Sequence, residues 1–149
     1  MSDLSDLYQD VILDHYKRPR NRGHLDDTDH QADGQNPLCG DHVTVFVKVK
    51  DDRVEEIRFA GSGCAISTAS ASLMTETVKG KTLDEAKAFF RKFHDMVTGS
   101  QEVDHGDGLG KLEVFSGVCQ YPVRVKCATL AWHTLDAALE NREEPVSTE

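Results

Sequence analysis

The spacing of apolar positions changes several times along this chain, and each change marks an element. Leu4, Leu7, Tyr8, Val11, Ile12 and His15 fall at i, i+3, i+4, i+7, i+8 and i+11, which predicts an amphipathic helix over residues 4 to 16. Pro19 ends it, after Lys17 and Arg18 have placed cations at the negative end of the helix dipole. From Asn21 to Asp33 the chain turns polar and sets no period, with room for a short edge strand near its end. The period then becomes two. Val43, Val45, Val47 and Val49 alternate with Thr44, Phe46, Lys48 and Lys50, a strand with one apolar face. Asp51-Asp52 makes a turn, and Val54, Ile57 and Phe59 form a return strand with an irregularity at Glu55-Glu56.

A run of small residues from Ala65 to Met74 predicts a closely packed helix over about 65 to 79, stopped by Gly80. Thr82 caps the next helix, with Glu85 at the capping-box position and Leu83, Ala86, Phe89, Phe90, Phe93 and Val97 as the buried stripe. Residues 98 to 122 break the pattern with several glycines and leave Leu112, Val114 and Phe115 as a short apolar piece. Pro122 opens a final helix to about Glu140, and residues 141 to 149 read as an acidic, frayed tail.

Composition narrows the class. A length of 149 residues fits one domain over 1 to 149, large enough to bury a core without staples. A net charge of -9 opposes binding to nucleic acid, whose phosphates need a basic face. No segment approaches a membrane span, and Asp3, Asp6 and Asp10 do not make a basic secretory segment, so a cytoplasmic protein is expected. In a reducing compartment its four cysteines point to metal binding, catalysis or burial before disulfides.

Three of those cysteines stand in marked contexts: Asn36-Pro37-Leu38-Cys39-Gly40-Asp41, Gly61-Ser62-Gly63-Cys64 and Arg124-Val125-Lys126-Cys127. Cys39 enters the first strand of the hairpin and Cys64 leaves the second, and in an antiparallel pair those ends are neighbours. Three thiolates and the carboxylate of Asp41 make a plausible tetrahedral zinc set, Cys39, Asp41, Cys64 and Cys127. The chain has no C-x-x-C spacing of a zinc finger, and buried cysteines are common as small hydrophobes. Cys119 is read as a free thiol, although it could replace one of the four; His42 and His105 are weaker candidates still.

Taken together, the three cysteine segments, with Ala65-Ile66-Ser67-Thr68-Ala69-Ser70 and Ala128-Thr129-Leu130 beside them, resemble the motifs of the IscU/NifU-like superfamily, and most closely its SufU branch. The resemblance implies an α+β fold, a small antiparallel sheet of about three strands with helices packed on one face, and a metal or cluster site at its tip. The scaffold branch, on which an iron–sulfur cluster is assembled, carries a histidine immediately before its last cysteine. Here that position is Lys126. The SufU branch carries an insertion between its second and third cysteines, and the glycine-rich stretch from 98 to 122 lies where it would fall. Members of that branch are regarded as zinc-dependent sulfurtransferases that accept persulfide sulfur from a SufS-type cysteine desulfurase for the SUF cluster-assembly machinery. The resemblance then implies Cys39 as sulfur acceptor, Asp41, Cys64 and Cys127 as further zinc ligands, and Arg124 as a catalytic cation near the site.

Overall fold

The structure, a computed structural model, describes residues 3–26, 28–37, 39–98, 110–140 and 146–147. In chain order the elements are α1 (Asp3–Lys17), β1 (His30–Asn36), β2 (Asp41–Lys50), β3 (Arg53–Ser62), α2 (Ala65–Val78), α3 (Leu83–Thr98), a 3₁₀ helix (Gly110–Gln120), α4 (Pro122–Leu139) and β4 (Val146–Ser147). The sheet runs β3-β2-β1-β4. Its first three strands are antiparallel, as expected, but β4 adds a parallel edge through Gly34↔Val146 and Gln35↔Ser147. The sheet is therefore mixed and four-stranded; a two-residue strand is too short to carry a period in sequence. Of the expected frayed tail, Val146–Ser147 are paired and 141–145 and 148–149 lie outside the described residues.

The β2–β3 hairpin follows the alternation closely. Asp51 and Asp52 both adopt positive φ (53° and 64°), the type I′ turn whose twist matches the flanking strands. The register shifts between Lys48 and Val49, which oppose Glu56 and Val54, so Glu55 is the extra residue of a bulge. That bulge keeps Val54 on the core side with Ile57 and Phe59. Val43, Val45 and Val47 face the same way and join Leu73, Met74, Leu130 and Trp132 in one core. On the other face Phe46 is nevertheless buried, with the His24 ring edge-on to it at 4.7 Å.

α4 lies along β1 and β2, and α2 packs against α4 and β3. The small residues of α2 permit this closeness: Ser70 Oγ donates to the Ala128 carbonyl at 2.5 Å. A reciprocal capping box starts α3, with Thr82 N–H donating to Glu85 Oε1 (2.9 Å) and Glu85 N–H to Thr82 Oγ1 (3.1 Å). The stretch expected to be irregular contains the 3₁₀ helix, whose Leu112, Phe115 and Val118 are buried. Their spacing of three matches three residues per turn, so one edge of this helix faces the core throughout. Phe115 meets Phe93 edge-on at 5.8 Å, and Phe93 stacks on Trp132 at 5.0 Å. Residues 99–109 lie outside the described residues.

His15 ties α1 to α2 from a buried position, its Nδ1 2.7 Å from Ser72 Oγ. Burial, and then the Arg20 cation, push its pKa below the ordinary value, with Glu76 acting in the other direction. The unfolded chain thus binds more protons than the folded one between the folded-state and ordinary values, and stability falls as pH drops through that window. The melting temperature should be higher at pH 7.5 than at pH 5.5, and His15→Gln should flatten the difference. Equal slopes for the two proteins would discount this histidine.

Candidate metal centre

One end of the sheet gathers the chemistry. Asn36, the last residue of β1, pairs across the register with Asp41, the first of β2, and both are buried. Inward positions on β2 run Asp41, Val43, Val45 and Val47, so the same alternation that builds the core points this carboxylate towards the helices. The connection between the strands carries Cys39, which is exposed. Its N–H donates to the Asn36 carbonyl at 3.2 Å, and Gly40 turns the chain into β2 at φ +70°. β3 ends with Ser62 opposite His42, which delivers Cys64 beside Asp41. Hairpin ends that are neighbours in space were expected from the sequence, and the register places them so.

Cys64 is the N-cap of α2, its Sγ accepting from the Ser67 N–H at 3.4 Å. Its own N–H donates to Asp41 Oδ1 at 2.9 Å, and its Sγ lies 3.9 Å from Asp41 Oδ2. One carboxylate oxygen is thereby fixed by the backbone and the other turned towards the thiols. Gly63 makes room for this: a Cβ there would fall 2.8 Å from Asp41 Oδ1. From α4 comes Cys127, only 2 % exposed, its Sγ 3.3 Å from Cys39 Sγ and 3.6 Å from Asn36 Nδ2.

Cys39, Asp41 and Cys127 each offer one ligand atom, all within 4.8 Å of one another, and no other trio of His, Cys, Asp or Glu side chains among the described residues does so. A tetrahedral zinc ion with sulfur at about 2.3 Å holds two thiolates about 3.8 Å apart. The 3.3 Å between Cys39 and Cys127 needs to open only slightly to reach that value. Soft sulfur with one carboxylate suits zinc. Cys64 stands next to this trio rather than within it. The Cys127 sulfur, and then the Ser67 N–H, hold the Cys64 thiol down to about 7 against the opposing effects of burial and the Asp41 charge. The same contact with Cys64, together with burial, pushes Cys127 up.

Arg124 sits in the first turn of α4, its guanidinium 4.5 Å from the centroid of the Tyr121 ring. His42 is exposed and alternates away from the inward face that Asp41 occupies. The Cys119 side chain and His105 lie outside the described residues. Asn36, by contrast, had no assigned role in the sequence reading, although it opens the first cysteine motif; its full burial against Cys127 is a property of the packed fold alone.

Comparison with known proteins places the chain among relatives. The NifU-like N-terminal domain family matches residues 7–128. The zinc-dependent sulfurtransferase SufU of Bacillus subtilis (strain 168) is 44% identical over 142 residues, 95% of each chain. The iron-sulfur cluster assembly scaffold protein IscU of Streptococcus pyogenes serotype M1 is 45% identical over 140 residues, 94% of this chain and 87% of that one. The crystal structure of a nitrogen-fixing NifU-like protein (N-terminal) from Brucella abortus superposes with a TM-score of 0.82 at 27% identity, covering 93% of this chain and 96% of the other. With β1, β2, β3 and all three cysteine segments inside the matched region, the chain belongs to the family of NifU-like N-terminal domains.

Proposed function

We propose that this chain is a zinc-dependent sulfurtransferase of iron–sulfur cluster biogenesis. In this reading it takes persulfide sulfur on Cys39 from a SufS-type cysteine desulfurase and passes it to the SUF cluster-assembly machinery. The observation that carries the reading is an exposed thiol, Cys39, meeting buried Asp41 and Cys127 within 4.8 Å. Relatives named as a sulfurtransferase and as a cluster scaffold support the pathway. The zinc ligands are Cys39, Asp41, Cys64 and Cys127, the third included for its contacts with Asp41 and Cys127. Bound zinc keeps ligand thiols deprotonated at neutral pH and damps their reactivity. A carboxylate holds zinc less firmly than a fourth thiolate, so this donor set opens more readily than a closed structural site.

Cys39 is the nucleophile because it alone of the three lies exposed, on the connection between β1 and β2. Its thiolate attacks the outer sulfur of the partner's cysteine persulfide. The S–S bond of the partner breaks, its electron pair leaves on the partner's cysteine, and a persulfide is left on Cys39. Arg124, exposed one turn before Cys127, offers a fixed cation that favours the anionic persulfide. No helix among the described residues is long and apolar enough to cross a membrane, and we assign the activity to the cytoplasm.

The scaffold reading is the alternative, supported by the likeness to IscU of Streptococcus pyogenes. Against it stands Lys126, whose ammonium offers no lone pair at the position where the scaffold branch carries a histidine. Metal analysis and intact mass, before and after incubation with desulfurase and cysteine, separate the readings. Retained zinc with a mass gain of one sulfur is the expected result. Labile iron and sulfide in anaerobically purified protein, with cluster transfer, would make it a scaffold. Stoichiometric zinc with no added sulfur would make it a zinc-binding interaction domain.

A further inference from the structure

We propose that Asn36 is a positioning residue that ranks the thiolates of the metal centre, fixing Cys127 as the sulfur that stays and leaving Cys39 as the one that departs. This rests on the proposed function for its purpose, although the contact itself does not. Asn36 is 0 % exposed at the end of β1, and its Nδ2 lies 3.6 Å from Cys127 Sγ. Its Oδ1 is also buried and has no hydrogen-bond partner among the described residues. A buried amide with an unsatisfied carbonyl costs stability, whereas a leucine of similar size would carry no such penalty. The described residues give no partner to that carbonyl; the other end of the amide is aimed at a sulfur.

An N–H donated to a thiolate draws electron density from it and makes it less nucleophilic. Cys127 therefore receives a donor that Cys39 does not share, since Cys39 is exposed on the connecting turn and its own N–H points to the Asn36 carbonyl. One residue thus acts on both cysteines. Its side chain quiets Cys127, while its backbone accepts from Cys39 N–H and sets the turn that presents Cys39 outward. Sequence position explains the economy: Asn36 is the last inward-facing residue of β1, directly opposite Asp41.

The test uses the full chain loaded with Co(II), whose sulfur-to-metal charge-transfer band reports thiolate electron density. In Asn36→Leu that band should move to longer wavelength, because an electron is more easily withdrawn from a sulfur without the donor. Asn36→Val, which is uncharged and likewise lacks the donor, should shift it in the same direction and serves if the leucine variant fails to fold. The metal-free Asn36→Leu protein should melt no lower than the parent, whereas a purely structural asparagine predicts a lower melt. With zinc bound, the share of alkylation by methyl iodide falling on Cys127 relative to Cys39 should rise several-fold. An unmoved band in both variants with an unchanged alkylation ratio would overturn the inference. Sulfur uptake is measured separately. If the parent gains no sulfur but the band moves, the function is wrong and the role of Asn36 stands; the reverse pair of results sinks Asn36 alone.

Discussion

Cys39→Ser is expected to reduce sulfur acceptance to background while leaving the domain folded. Cys39 is exposed on a turn and its side chain contributes nothing to the core, so in metal-free protein the substitution should alter stability by no more than about 0.5 kcal/mol. Chemically the loss is complete, since a serine hydroxyl at neutral pH is neither ionised nor able to form a stable persulfide. Intact mass after incubation with desulfurase and cysteine should show no added sulfur, and desulfurase turnover should lose its stimulation. If the variant still stimulates turnover normally, another thiol is the acceptor. A parallel melt of parent and variant without metal guards against misreading an unfolded protein as an inactive one.

The largest loss of stability is expected from Gly61→Ala. Gly61 pairs with Val43 near the end of the hairpin and adopts φ +123°, a conformation strained for any residue with a side chain. A Cβ at this position would come within 3.0 Å of the His42 carbonyl carbon and 3.1 Å of Val43 Cα, and closer still to the His42 oxygen. All three are backbone atoms of the neighbouring strand, so no side chain can swing aside. Strain and overpacking together should cost on the order of 3 kcal/mol. For a chain of this size that lowers the melting temperature by roughly 6–12 °C. The push falls between Asp41 on one strand and Cys64 beyond the other, so zinc affinity should drop as well. A melt within one or two degrees of the parent, on the scale of about 0.5 kcal/mol, would show that the hairpin end can relax.

The residues that were easiest to read in sequence are those whose side chains do one thing. Val43, Val45 and Val47 alternate because a single face is buried, and Thr82 with Glu85 spells a capping box that the structure reproduces in both bonds. β1 gave no such signal because its inward positions, Ala32, Gly34 and Asn36, are small or polar. The reason lies in α4: a Cβ on Gly34 would collide with Thr134 and press on Leu130, so the strand is written in residues that let a helix lie close. The 3₁₀ helix was hidden by its neighbourhood of glycines, although Leu112, Phe115 and Val118 carry its three-residue spacing. At the site, the hairpin logic brought Cys39, Asp41 and Cys64 to one corner. Cys127 could be grouped with them only by residue type and by likeness to a family, because nothing local in an 88-residue separation says that two sulfurs will meet. Asn36 carries no sequence signal, since its proposed role depends on which end of a buried amide faces a thiol.

That 88-residue separation also has a mechanical meaning. Between Cys39 and Cys127 lie β2, β3, α2, α3 and the 3₁₀ helix, so an ion shared by the two sulfurs is a clasp around most of the domain. The entropy of closing a loop grows with the logarithm of its length, and a binder of the folded state alone adds stability in proportion to RT ln(1 + [L]/Kd). Loading the site therefore cinches the whole chain rather than one corner. Were Cys39 to leave the ion for its proposed task, Asp41, two residues along the chain, would hold nearly the same span closed, so one ligand could be exchanged without loosening the domain.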